Sequence, residues 1–312
     1  MKTALFLSIV TLALIHPILG FQCQLQVLRC ERGKSAYHTI EDYLGSRTVE
    51  SPDYMQGRVP CNPDKTHIKC GRTNTYDQEV FKFHLQHDKD CDPVKSPSVG
   101  TCQPDIDCVH SRLKERVEIK VHPSNGDESL KGRKGCVMRY SWKFRTLYNM
   151  RLSRKFTHLF QIKNVGGNSS PLVTLTARKV NKGTMPVLQL DNIRKNTDAS
   201  VPAKRATLVT KPWSDIRGKW LRVDVETKIE KYDEGGWLKV NMNKIDKSGK
   251  IIGNVFSYSG PAELWRENNT MSRPKWGIYR QAKHPSINAG ELNDAWVYFT
   301  DFCIEKVSCP SD

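Results

Sequence analysis

Beyond its first twenty residues the chain has no apolar run approaching the roughly 20 residues that a membrane-spanning helix needs. That absence excludes a helical membrane protein for the remainder. Long stretches of helical periodicity are missing, as are internal repeats and low-complexity tracts, so bundles, solenoids and coiled coils are set aside. Paired C-x-x-C spacings are absent, which removes zinc fingers. Neither a G-x-S-x-G elbow nor an H-E-x-x-H helix is present, so serine-hydrolase and zincin chemistry lack their usual carriers. Acidic residues are also short. Thirty-three Asp and Glu face 49 Lys and Arg, a formal charge of +16 over 312 residues.

The first twenty residues are a targeting segment. Lys2 is followed by an apolar stretch from Ala4 to Ile15 and by the small Gly20. This pattern predicts a cleaved secretory signal and a secreted, extracellular product. All ten cysteines, at 23, 30, 61, 70, 91, 102, 108, 136, 303 and 309, lie after it. An even count in an exported chain predicts disulfides. The sequons at Asn168 and Asn268 fit the same setting. A strongly basic exported protein meets acidic polysaccharide rather than nucleic acid, and acidic polysaccharide is the expected partner, with no membrane role.

Seven cysteines crowd between Cys23 and Cys108, amid Asp, Pro, Lys and Asn. Residues 21–110 therefore read as a stapled, loop-rich region with one short helix over Ala36–Leu44. Seven is odd, so one cysteine must pair outside the region, and Cys136 is the nearest. From about Leu113 short alternating segments take over: Arg116–Val121, Val137–Arg145, His158–Lys163, Leu172–Arg178, Trp220–Ile229, Trp237–Ile245, Lys275–Gln281 and Ala295–Ile304. Turn chemistry separates them at Gly132–Gly135, Gly166–Ser170, Asp233–Gly236 and Ser248–Gly249. The expected fold is all-β: a jelly-roll sandwich of two antiparallel sheets over 111–308, preceded by the disulfide-rich extension.

Strand alternation sorts the side chains into faces. Arg116, Glu118 and Lys120 oppose Val117 and Ile119. Gln161 and Lys163 oppose Phe160 and Ile162. Lys275, Gly277, Tyr279 and Gln281 oppose Trp276 and Ile278. Arg139, Lys143 and Arg145 oppose Tyr140, Trp142 and Phe144, and Arg178 follows Thr174 and Thr176. Five such faces predict a cationic groove. A glycine in mid-strand, Gly277, marks close approach by a ligand or by another backbone.

The order R-x-E-I-K, Q-I-K, K-W-G-I-Y-R-Q resembles the three signature strands of jelly-roll alginate lyases, which read R-x-E-L-R, Q-I-H and Y-x-K-A-G-x-Y-x-Q. The stretches F-T-H-L-F-Q-I-K and P-L-V-T-L-T-A-R are similar to glucuronan- and heparin-cleaving relatives. The likeness spans roughly residues 112–306. It implies β-elimination at a uronic acid, without cofactor or metal. Removal of the C5 proton beside a carboxylate demands that the carboxylate be neutralised. The resemblance assigns that task to Arg116 and Gln161, and proton transfer to Tyr279. A free tyrosine has a pKa of about 10 and needs cations beside it to act as base. Glu118 then orients cations, while Lys120, Lys163, Lys275 and Gln281, with Arg139, Lys143, Arg145 and Arg178, bind substrate.

One departure carries weight. Lys163 stands where the resembled family has histidine, and regular alternation turns His158 away from Gln161. A lone tyrosine acting as base and then acid suits sugars whose H5 and O4 share a side, so D-uronates are expected, glucuronate before mannuronate. The alternative is a non-catalytic, lectin-like matrix protein that keeps the basic groove. A glycoside hydrolase would need a second cleft carboxylate beside Glu118. His84, His87, Asp88 and Asp90 gather near Cys91 but read as a solvated loop rather than a metal site. The tryptophans at 213, 220, 237, 265 and 276 read mostly as core.

Overall fold

A computed structural model describes residues 23, 27–51, 67–87, 114–166, 170–179, 185–194, 204–282 and 291–310. Helix α1 (Ala36–Leu44) matches the predicted span. Ser35 caps it, its hydroxyl accepting the His38 N–H at 3.3 Å, and Ala36, Tyr37, Ile40 and Leu44 turn inward. Among the described residues the remaining elements are strands, apart from two single turns of 3-10 helix.

The strands are β1 (Val49–Glu50), β2 (Ile68–Thr73), β3 (Tyr76–Leu85), β4 (Lys114–Lys120), β5 (Val137–Thr146), β6 (Thr157–Val165) and β7 (Val173–Arg178). They continue with β8 (Val187–Arg194), β9 (Lys204–Pro212), β10 (Leu221–Lys228), β11 (Trp237–Ile245), β12 (Ile251–Pro261), β13 (Met271–Gln281) and β14 (Ala295–Ser308). They form two seven-stranded sheets, ordered β1-β4-β13-β6-β7-β8-β9 and β12-β11-β10-β5-β14-β3-β2. Their pairings are antiparallel throughout. This is the expected jelly-roll sandwich.

The alternating apolar residues of both sheets meet between them. Val117, Ile119, Phe160, Ile162, Trp276 and Ile278 of the first sheet face Tyr140, Trp142, Phe144, Val223 and Phe299 of the second, all buried. Trp142 stacks on Phe160 with centroids 4.3 Å apart and meets Trp276 edge-on at 6.0 Å. Trp213, Trp220, Trp265 and Trp276 are all buried, so the tryptophans serve the core, where large aromatics bury the most apolar area.

The cysteine-rich region is less loop-like than its composition suggests. Its β1 extends the first sheet beside β4, and β2 and β3 complete the second beside β14. The run Phe81-Lys82-Phe83-His84-Leu85 alternates as a half-buried strand should, with Phe81, Phe83 and Leu85 in the core. Cys23 reaches Cys303, Cys30 pairs with Cys70, and Cys136 pairs with Cys309. The described link out of the cysteine-rich region thus runs from Cys23 to the last strand, and Cys136 takes a C-terminal partner. Cys61, Cys91, Cys102 and Cys108 lie outside the described residues, as do Asp88 and Asp90.

At one end of the sandwich an ion pair is fully enclosed. Arg280 Nε donates to Glu115 Oε2 at 2.6 Å, its Nη2 donates to the Asn293 carbonyl at 2.8 Å, and His87 Nδ1 lies 2.8 Å from Glu115 Oε1. Both charged side chains have 0% exposure. Removing one partner would leave an uncompensated buried charge. Glu115→Leu is therefore expected to lower unfolding stability by about 3–5 kcal/mol, measured by urea denaturation. A loss below about 1 kcal/mol would show that Arg280 is satisfied without it.

Candidate active site

Three adjacent strands of the first sheet bring the polar residues together. On β13, Lys275 lies opposite Lys120 of β4 and Gln161 of β6, while Tyr279 lies opposite Arg116 of β4 and His158 of β6. Two rows result, Lys120–Lys275–Gln161–Thr174 and Arg116–Tyr279–His158–Thr176, both continued onto β7. Between them Gly277 faces Glu118. Side chains paired across antiparallel strands share a face, and this face lies opposite the core.

Gly277 has φ +144, and a Cβ there would stand 2.1 Å from the Val117 carbonyl oxygen and 2.6 Å from Glu118 Cα. The approach that its mid-strand glycine marks is therefore that of the β4 backbone, not of a ligand. The β6–β13 register shifts between Trp276 and Tyr279, and the β6–β7 register shifts between His158 and Phe160. Leu159 is the extra residue against β7, a bulge that lets both Leu159 and Phe160 be buried. His158 is thereby returned to the face of Gln161 and Tyr279. Regular alternation placed it on the other face, and that expectation is corrected.

Charges in this face are tightly paired. Glu118 is 1% exposed; Lys275 Nζ donates to its Oε2 at 2.9 Å, Gln161 Nε2 donates to its Oε1, and Arg116 Nε lies 3.5 Å from Oε2. A second carboxylate, Glu50 of β1, accepts from Lys120 and Lys275, and from Arg116 Nη1 at 3.2 Å. Burial works against ionisation of Glu50, but Lys275, Arg116 and Lys120 hold its carboxyl well below the usual range. Lys120 is pushed down by burial, with Glu50 opposing. Lys163 is also pushed down, by burial and then by Lys275 and Arg116, and pairs with no carboxylate among the described residues.

Tyr279 is half-buried. The Arg116 guanidinium lies 4.3 Å from its ring centroid and Lys114 Nζ 5.8 Å, while the His158 ring is 5.9 Å away. His158 is buried, and its Nδ1 lies 2.8 Å from Thr176 Oγ1. Thr176 gives its own proton to Thr174 Oγ1 at 2.8 Å. Its hydroxyl can only accept from the histidine, which assigns the proton to Nδ1 and leaves Nε2 as a lone-pair acceptor. Burial, reinforced by Arg205, Lys275, Lys114 and Arg116, pushes the pKa of His158 down to about 3. The ring is neutral at physiological pH.

Arg178 lies further along the same face on β7, near the fully buried Asp191 of β8, which also has Arg205 Nε at 3.8 Å. Gln281 lies one step beyond Tyr279 on β13, opposite Lys114. Arg139, Lys143 and Arg145 do not join this group. Their strand, β5, belongs to the second sheet, where they are engaged by Glu226, by Asp301 and Tyr76, and by Gly218 and Thr75 respectively. Alternation within a strand does not reveal which sheet the strand joins. Glu50 and His158 were the residues missed: the first lies in a two-residue strand with no alternation to detect, the second behind a bulge. No cluster of three His, Cys, Asp or Glu able to hold a metal occurs among the described residues. His84 instead stacks on Trp296 with ring centroids 3.9 Å apart.

The outer face of the first sheet of this β-sandwich thus carries paired rows of Arg, Lys, Gln, His and Tyr. The model of the polysaccharide lyase family matches residues 72–302, so the chain belongs to that family. No curated protein matches it in sequence. Among solved structures it is similar to a β-1,4-glucuronan lyase from the fungus Trichoderma reesei, with 12% identity over 84% of this chain and 96% of that one and a TM-score of 0.47. It is also similar to an alginate lyase of polysaccharide lyase family 7, at 12% identity over 86% and 97% with a TM-score of 0.49. An alginate lyase from Pseudomonas aeruginosa matches at 12% identity over 84% and 99%, with a TM-score of 0.47.

The depressed His158 has a consequence for stability. Between the ordinary value of 6.5 and about 3, the unfolded chain binds a proton that the folded protein refuses. Stability is therefore lost as pH falls through that window. Urea denaturation of His158→Asn across the same range is expected to show a shallower fall than the wild type. Equal slopes would mean that His158 is protonated in the folded protein.

Proposed function

We propose that this polysaccharide lyase cleaves a uronic-acid polymer by β-elimination. The observation that carries the reading is the row Arg116–Tyr279–His158 across three adjacent strands, beside Lys275 and Gln161. Arg116, spanning from Glu118 to the Tyr279 ring, is placed to hold the carboxylate of the reacting sugar and to steady the enolate-like charge formed when C5 loses its proton. Tyr279 and His158 are the proton-transfer pair: one group takes the C5 proton, the C4–oxygen bond breaks with formation of a C4–C5 double bond, and the leaving oxygen receives a proton. With Nε2 unprotonated, the neutral imidazole can accept a hydrogen bond beside the tyrosine. The preference for D-uronates rested on a tyrosine working alone, and His158 at its side removes that premise. The apolar leader and the three described disulfides support an extracellular site of action.

A second reading is favoured by Lys163, which replaces the histidine expected from the resembled motif, and by Glu50, which already occupies the cations: a protein that binds acidic glycans without cleaving them. The ultraviolet absorbance of the unsaturated product separates the two. With glucuronan, alginate, hyaluronan or heparin, the wild type is expected to produce it, and Tyr279→Phe to lower the rate by about 10²–10⁴-fold. Salt-sensitive binding with no absorbance change on any of the four polymers would establish the non-catalytic reading.

A further inference from the structure

Glu50 stands apart from the machinery just described. It comes from the edge strand β1, where it lies opposite Glu118, and it fills the space between three cations that would otherwise face the ligand. One carboxylate oxygen is taken by Lys120, the other by Lys275 and Arg116. Its side chain is 22% exposed and that of Glu118 1%, so Glu50 lies nearer the groove surface than Glu118. The two differ in role accordingly. Glu118 holds Lys275 and Gln161 from below, while Glu50 satisfies from above the cations nearest the β1 edge. Lys163, on the β6 side, is left without a carboxylate partner among the described residues.

The geometry points to Glu50 as a specificity-determining residue that closes the Lys120–Lys275 side of the groove to a second anionic group, so that the site accepts a uronate carrying its carboxylate alone over one that also bears a sulfate ester. The inference rests on the reading that the groove receives a uronate. Its physical basis is direct. A sulfate arriving beside the carboxylate would meet the Glu50 charge at short range in a partly desolvated setting, where like-charge contacts are strongly disfavoured. A lone carboxylate held on the Tyr279 side of Arg116 keeps the guanidinium between itself and Glu50. With Glu50 made neutral, Lys120 and Lys275 become available as donors to sulfate.

The test compares binding of two oligosaccharides of equal length, heparin and its desulfated, N-acetylated backbone, by calorimetry at fixed ionic strength. The wild type is expected to prefer the unsulfated chain. Glu50→Gln is expected to shift the ratio of the two affinities toward heparin by about tenfold. A ratio unchanged within about twofold, or an equal shift in Glu226→Gln, which raises the net charge by the same amount on the other sheet, would overturn the assignment, because a mere rise in positive charge would then account for it. Glu50→Asp, which keeps the charge on β1 but draws it back from Lys120, is expected to shift the ratio the same way by a smaller factor. It serves as the decisive variant if Glu50→Gln does not fold. With every position-50 comparison made in the Tyr279→Phe background, where turnover is suppressed, failure of the unmodified protein to release unsaturated product would count against the lyase reading while leaving this one standing.

Discussion

The candidate site depends on how closely two backbones approach at Gly277. A side chain there would collide with Val117 and Glu118 of the neighbouring strand, and β13 could not hold its register on β4. That register puts Arg116 beside Tyr279 and Lys120 beside Lys275. The irregularity continues into β6 and β7, where the extra Leu159 rotates His158 onto the polar face. Two bulges in neighbouring strands thus act as one device. They spend ladder regularity on aiming side chains, which is where bulges are commonly found in functional sheets.

The electrostatics follow from that placement. Five charged side chains, Arg116, Lys120, Lys275, Glu50 and Glu118, converge on one stretch of sheet, and none would be tolerable there alone. Glu118 is almost wholly buried, and its negative charge allows Lys275, itself buried, to remain in the groove floor. His158 lies among cations and under burial that both oppose protonation.

Much of this was legible in the sequence, because strand period two carries information about faces. The eight segments picked out by alternation correspond to β4, β5, β6, β7, β10, β11, β13 and β14, and the helix over Ala36–Leu44 matches to the residue. Of the strands passed over, β3 alternates clearly but lies in the cysteine-rich stretch that reads as loop, and the others have patterns that are interrupted or weak. The edge strands β9 and β12 are largely exposed, so they need no apolar alternation. Strand β8 has interior residues buried on both faces, Leu188 and Leu190 toward the core and Gln189 and Asp191 on the polar side. Assignment to sheets lay beyond the pattern altogether. Arg139, Lys143 and Arg145 alternate as convincingly as Arg116 and Lys120, yet pairing of β5 with β10 and β14 carries them to the other sheet.

The same reasoning bears on the exchange of histidine for Lys163. Judged by alignment of motifs alone, the site has lost a proton-transfer group and gained a cation. In three dimensions a histidine is present five residues earlier in the strand, made available by one inserted residue, and Lys163 lies on the same face as Gln161. The polar face of β6 thus keeps a histidine, at 158, and gains a lysine at 163. The two positions differ in what an imidazole faces: at 158 it lies across from Tyr279 and is held from behind by Thr176, whereas position 163 lies across from Arg273. A histidine at 163 would sit across from an arginine, whereas the bulge places His158 across from Tyr279.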